Sequence, residues 1–125
     1  MLWCDHDGGK LHMVGKEVFR NAVNYMVGTS RDAMDKAGVD IDDIALIVPH
    51  QANVRIIDAS CRRLGAPMDK VAVVLDHTGN TSSASIPLAF VEAHEQGRVQ
   101  PGDLILMTGF GAGMSAASAV IRWDP

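Results

Sequence analysis

An imidazole at His50 and a carboxamide at Asn80 are the side chains in this sequence best suited to chemistry. His50 lies in Pro49-His50-Gln51-Ala52-Asn53, directly after an apolar run, and Asn80 lies in Gly79-Asn80-Thr81-Ser82. Both groups donate a hydrogen bond without adding a fixed charge. Two such donors converging on one point hold a developing oxyanion. The same geometry suits a thioester carbonyl that becomes an enolate as an adjacent carboxylate departs as carbon dioxide. A neutral imidazole protonated on Nε2 would polarise that carbonyl, whereas an imidazolium would bind the carboxylate and retain it. Removing one well-placed donor typically costs about 3 kcal/mol, roughly a hundredfold or more in rate.

Each motif also has a reading without chemistry. His50 suits a packed loop histidine, while Asn80 tolerates left-handed backbone and Ser82 caps a helix. A metal site from His50, His77 and Asp76 is geometrically conceivable, but no close His-x-x-x-His pair supports it, and no metal is expected. The run Gly109-Phe110-Gly111-Ala112-Gly113 exposes backbone amides and permits close approach by another segment. It is not a dinucleotide fingerprint, because position 114 is not glycine and the residues after it read as a strand. Cys61 falls mid-helix, where a buried structural thiol fits better than a nucleophile. Cys4 falls in a terminus that reads as mobile.

The elements that must position these groups follow from periodicity. A helix is predicted from about Lys16 to Ala37, with Val18, Phe19, Ala22, Val23, Met26 and Val27 on one side and Gly38 as its stop. Gly28 interrupts its middle at a cost of about 1 kcal/mol relative to alanine. Ile44 to Val48 reads as a strand covered on both faces, ended by Pro49. Asn53 caps a helix running to about Leu64, stopped by Gly65 and Pro67. Val71 to Leu75 reads as a second buried strand, and Ser82 to Gln96 as a third helix in which Pro87 is awkward unless it lies in the first turn or its missing bond is exposed or compensated. Leu104 to Thr108 gives a third strand. The connection to Met114–Trp123 is too short for a parallel crossover, so that last strand must run antiparallel. The order α-β-α-β-α-β-β predicts an α/β fold with a mixed sheet of three parallel strands and one antiparallel C-terminal strand. His50, Asn53, His77, Asn80 and the glycine loop then share the carboxyl edge of the sheet, where open α/β sheets bind ligands.

Composition limits the alternatives. The chain has 125 residues, enough for one core and not two. With 47% hydrophobic and 21% charged residues it is an ordinary globule and not a disordered tail. A net charge of -4 argues against nonspecific nucleic-acid binding, which needs a basic face. No apolar run approaches the roughly 20 residues that span a bilayer, and Met1–Gly9 lacks the basic and apolar regions of a signal peptide, so no membrane partner is expected. Asp5 to Gly9 is turn chemistry. Two cysteines match no metal framework and suggest a reduced, cytoplasmic protein. An ordinary α/β domain with no catalysis accounts for most of the apolar residues.

Three ordered motifs carry a more specific likeness. Pro49-His50-Gln51-Ala52-Asn53-x-Arg55-Ile56, Gly79-Asn80-Thr81-Ser82-x-Ala84-Ser85 and Gly109-Phe110-Gly111-Ala112-Gly113, preceded by Met13-x-Gly15-x-x-Val18-Phe19, resemble the carboxyl-terminal half of beta-ketoacyl-[acyl-carrier-protein] synthase III. These enzymes belong to the thiolase-like superfamily, so the resemblance implies a three-layer thiolase-like half. It implies acyl-CoA and malonyl-acyl-carrier protein as substrates of the complete enzyme, with no cofactor. It also implies a Cys-His-Asn site in which His50 and Asn80 are the two donors and the Ala112 backbone amide joins the oxyanion hole. Many relatives have glycine where Ala112 stands. Phe110 would shape the acyl or pantetheine cavity. Met13, Gly15, Phe19, Ala52 and Asn53 would line the pantetheine channel, and Arg55 would meet an acidic carrier protein at its mouth.

The family's nucleophilic cysteine lies in the amino-terminal half, and neither Cys4 nor Cys61 matches it. Residues 1–125 therefore read as an incomplete C-terminal domain whose partners are a missing N-terminal half carrying that cysteine, the acyl-carrier protein and, in the complete enzyme, a second copy in a homodimer. The chain alone is expected to be inactive. The alternatives are a noncatalytic carrier-protein docking subunit and the corresponding half of a polyketide-pathway synthase.

Overall fold

The computed structural model describes residues 2–4, 7 and 9–125. Of the predicted Asp5–Gly9 turn, Asp5, His6 and Gly8 lie outside the described residues. Two short strands flank that turn, β1 (Leu2–Cys4) and β2 (Leu11–Met13), paired antiparallel. Neither strand follows from the sequence pattern, which places Cys4 in a mobile terminus. Here Cys4 is instead opposite Leu11 in the β1–β2 register.

Helix α1 (Gly15–Ala37) buries Val18, Ala22, Val23, Met26, Val27, Ser30 and Met34, a stripe at three- and four-residue spacing. Phe19 shares that side by spacing, but near the helix's N-terminal end it remains 37% exposed instead of joining the core. Gly38 adopts the left-handed conformation (φ 68°), and the Gly38 and Val39 amides donate back to Asp35 and Met34 carbonyls, which closes the helix as expected. Strand β3 (Ile44–Pro49) follows. Helix α2 (Val54–Leu64) begins where the Asn53 side chain accepts the Arg55 amide N–H at 2.9 Å, and Gly65 ends it in the left-handed region.

The second predicted parallel strand is reduced to one bridge, Ile47 to Val71. The Ala72 amide donates to Ile47 O at 2.8 Å, and a parallel ladder would next need an N–H from residue 49. Residue 49 is proline and has none. The side chain of the fully buried Gln51 takes over instead. Its Nε2 donates to Ala72 O (3.1 Å) and Pro49 O (2.8 Å), and its Oε1 accepts the Val74 amide (3.0 Å). A side-chain amide thus completes the sheet edge, and the chain turns into the one-turn helix α3 (Leu75–Thr78).

Helix α4 (Ser85–Glu95) is preceded by a 3-10 turn at Ser82–Ala84, so the predicted helix starts three residues late as an α-helix and carries Pro87 in its first turn. Strand β4 (Leu104–Phe110) pairs parallel with β3 and antiparallel with β5 (Ala116–Arg122), giving the order β3-β4-β5. One core cluster, with Ile44, Ile47 and Leu106 from the sheet, packs on α1 and α2. The other, with Leu46, Val48 and Ile105, packs on α4. A register shift between Ile44 and Leu46 lets Ile44 and Ile47 face the same side. The result is a three-layer α/β fold with a mixed sheet.

Candidate functional site

Because β3 and β4 run parallel, both expose their carboxyl ends on one edge. The His50 amide extends the ladder one step by donating to Thr108 O at 2.8 Å. The next residue of β4, Gly109, lies against His50. A Cβ on Gly109 would come within 3.4 Å of the His50 Cβ and 3.3 Å of Ile86 Cδ1, so a side chain there would push the histidine or Ile86. Phe110 meets the imidazole edge-on, with ring centroids 5.6 Å apart and planes at 69°.

The partly buried imidazole is anchored from α4. Its Nδ1 lies 2.6 Å from Ser85 Oγ, and the same oxygen accepts the Gln51 amide N–H at 3.1 Å. Burial pushes the His50 pKa below its ordinary value, favouring the neutral ring. Ser85 is fully buried, and the sequence reading gave it no role. Its only sequence signal is its place at the end of the Gly79–Ser85 motif.

Asn80 lies on the connection that leads into Ser85. Gly79 before it holds φ 68° and ψ -167°, a conformation confined almost entirely to glycine. The Asn80 side-chain carbonyl accepts the Ser82 amide at 3.0 Å, and Ser82 itself sits at φ 54°. This Asx-type turn uses the oxygen and leaves Nδ2 as the free end of an exposed carboxamide. Beside it, the buried Thr81 Oγ1 has no hydrogen-bond partner.

The other predicted residues are spread along the same edge and the β2–α1 junction. Ala52 donates its amide to His50 O (3.0 Å), Asn53 caps α2, and Arg55 is exposed in the first turn of that helix. Ala112 opens a 3-10 turn at Ala112–Met114 and is exposed, with Gly113 and Met114 both at positive φ. Met13 ends β2 and is 61% exposed, Gly15 begins α1, and Phe19 lies one turn further on.

The residues of the alternative metal site have other partners. His77 contacts Asp76 Oδ1 (2.9 Å) and Glu92 Oε2 (2.8 Å), which raises its pKa, while His50 is bound to Ser85. Among the described residues no cluster of three or more His, Cys, Asp or Glu side chains has the disposition of a metal site. Cys61 is buried, and burial together with nearby Asp58 pushes its thiol up to about 11. No helix among the described residues is long and apolar enough to cross a membrane.

Residues 34–123 match the family model for the C-terminal part of 3-oxoacyl-[acyl-carrier-protein] synthase III. The chain belongs to this family. A beta-ketoacyl-[acyl-carrier-protein] synthase III of Roseiflexus castenholzii is 56% identical over 112 residues, covering 90% of this chain and 34% of the relative. The crystal structure of the 3-oxoacyl-[acyl-carrier-protein] synthase III of Aquifex aeolicus superposes with a TM-score of 0.94 at 44% identity, over 98% of this chain and 39% of that one. The priming beta-ketosynthase of the R1128 polyketide pathway also superposes, with a TM-score of 0.86 at 45% identity over 91% of this chain and 34% of its own. The synthase III fold is therefore present as a three-layer thiolase-like unit with a mixed sheet. The chain spans about a third of the length of the curated synthase III relatives it matches.

Proposed function

We propose that residues 1–125 act as the incomplete C-terminal domain of a decarboxylating condensing enzyme that joins an acyl group from acyl-CoA to malonyl-acyl-carrier protein in fatty-acid initiation. The observation that carries this reading is the anchored, desolvated imidazole of His50 at the end of β3, held by the residue to which the Asn80 turn leads.

A cysteine thiolate from the remaining part of the enzyme takes the acyl group and releases CoA. Malonyl thioester then loses carbon dioxide, and the electron pair of the broken C–C bond passes into the thioester as an enolate. His50 Nε2–H and Asn80 Nδ2–H bind its oxygen. The enolate carbon attacks the acyl-cysteine carbonyl, whose oxyanion is held by the Ala112 amide and the cysteine's own amide, and collapse expels the thiolate. Exposed Met13 and Phe19, with Gly15, Ala52 and Asn53, line the pantetheine path. Phe110 closes the acyl cavity beside His50, and Arg55 meets the acidic carrier protein. No metal or other cofactor takes part. The complete enzyme is a cytoplasmic homodimer with no nucleic-acid or membrane partner.

The similarity to a priming polyketide synthase supports a second substrate reading, condensation in a polyketide pathway. A noncatalytic docking subunit has no need of a partly buried, oriented imidazole. Mixing the chain with a cysteine-bearing N-terminal half of a synthase III and following malonyl decarboxylation and condensation tests the proposal. His50→Ala or Asn80→Ala should each slow decarboxylation by about a hundredfold. Unchanged rates in both variants would reject the assignment. Carrier-protein binding with no acyl transfer would favour the docking subunit.

A further inference from the structure

We propose that Ser85 is a positioning residue that fixes the tautomer of His50, donating its hydroxyl hydrogen to Nδ1 and so holding the proton on Nε2. The proposal rests on the catalytic reading of His50 and names a further member of that site.

Ser85 Oγ has one hydrogen to give and two lone pairs. The Gln51 amide at 3.1 Å can only donate, so it occupies one lone pair. The other contact is His50 Nδ1 at 2.6 Å. A serine at a helix start often returns its hydrogen to a carbonyl of the preceding turn, but Ser85 makes no such bond. The carbonyl four residues back, Thr81 O, instead accepts the Ala84 amide. Ser85 is fully buried, so water offers no substitute. If Nδ1 carried the proton and donated to Oγ, the serine hydrogen would have no acceptor. If Ser85 donates to Nδ1, the serine hydroxyl and Nδ1 are both satisfied, and the neutral ring must be protonated on Nε2.

The rest of the pocket fits this role. Gln51 is fixed by its own side-chain bonds to Pro49, Ala72 and Val74, so its amide holds Ser85 from a rigid point. Phe110 packs edge-on against the ring, and Gly109 allows β4 to approach the His50 Cβ. The same glutamine therefore completes the sheet edge with its side chain and sets the serine with its backbone.

Ring nitrogen NMR of the histidine-labelled chain reads the tautomer directly, with His50→Gln identifying the signal among the five histidines. The expected result is the Nε2–H pattern in the unaltered chain, a mixture of tautomers in Ser85→Ala and recovery in Ser85→Thr. An Nδ1–H pattern in the unaltered chain overturns the proposal without any variant. A folded Ser85→Ala that keeps a pure Nε2–H ring overturns it as well. In the assembly with a cysteine-bearing half, Ser85→Ala should lower kcat for decarboxylation by about tenfold with KM little changed, short of the loss from deleting the donor itself. The NMR measurement does not depend on turnover. An Nε2–H ring in an assembly that cannot decarboxylate would overturn the catalytic reading alone, and an Nδ1–H ring in an active assembly would overturn the role of Ser85 alone.

Discussion

At the scale of single residues, the histidines have opposite electrostatics. His50 loses proton affinity through burial, whereas His77 gains it from hydrogen bonds to Glu92 and then Asp76. As pH falls below the ordinary 6.5, the unfolded chain protonates position 50 before the folded one does. His50 thus contributes stability above 6.5 that is lost as pH falls through its lowered value. His77 contributes stability that is present below 6.5 and lost as pH rises through its raised value. Residue-resolved NMR titration should place the His50 midpoint below 6.5 and the His77 midpoint above it.

Cys61 follows the same logic for an acid. Its unfolded thiol ionises near 9.0 and its folded thiol near about 11, so the unfolded state loses its proton first. Stability should fall as pH climbs across that interval. Near neutral pH, a buried protonated thiol should resist acylation by acyl-CoA. Mass spectrometry of the chain alone after such incubation should show Cys61 unmodified, and stoichiometric acylation there would contradict both this assignment and the predicted inactivity. The sequence makes His50 and Asn80 legible as donors because their chemistry is intrinsic to the side chains. It does not reveal Ser85, because a serine at a helix start has an ordinary capping explanation until its partner is known.

At the scale of elements, the helices and their stops follow local rules, and the structure agrees with them closely. Gly38 and Gly65 adopt the left-handed caps that ended the predicted helices, and Asn53 caps α2 through its side chain. The segment 71–74 departs from the reading. Its apolar run is strand-like, yet Pro49 removes the donor that a continuing ladder needs and Gln51 substitutes for it. Gln51→Ala would leave Ala72 O and the Val74 amide buried without this partner. Because each unsatisfied group costs about 1–3 kcal/mol, the variant should lose about 3 kcal/mol in urea unfolding. A loss below about 1 kcal/mol would show that water or a backbone shift replaces the amide.

At the scale of the whole molecule, α4 matters most. It is apolar nearly all round, with Ala89 and Ala93 in the core and Leu88 (44%) and Val91 (49%) exposed. A helix of that kind is normally buried on both sides. Ile86, Met107, Ala117 and Ala119 line a shallow depression that also includes Thr108 and Ser118, and β5 leaves one hydrogen-bonding edge unpaired among the described residues. The isolated chain should therefore self-associate, or pair tightly with a cysteine-bearing half. Sedimentation at several concentrations should show the weight-average mass rising, and a paired Leu88→Glu, Val91→Lys variant should suppress that rise. A stable monomer at every concentration would contradict the expectation.

The sequence by itself determined the helices, their caps, the antiparallel last strand and the two candidate donors, because these depend on spacing, glycine and proline conformation and side-chain chemistry within a few residues. The tertiary structure alone decided that a glutamine side chain would finish the sheet, that a serine thirty-five positions away would meet the imidazole, and that one face of α4 would be left apolar and open. Those outcomes depend on which segments fold against one another, and a hydrogen bond across the sheet has no period in the chain to reveal it.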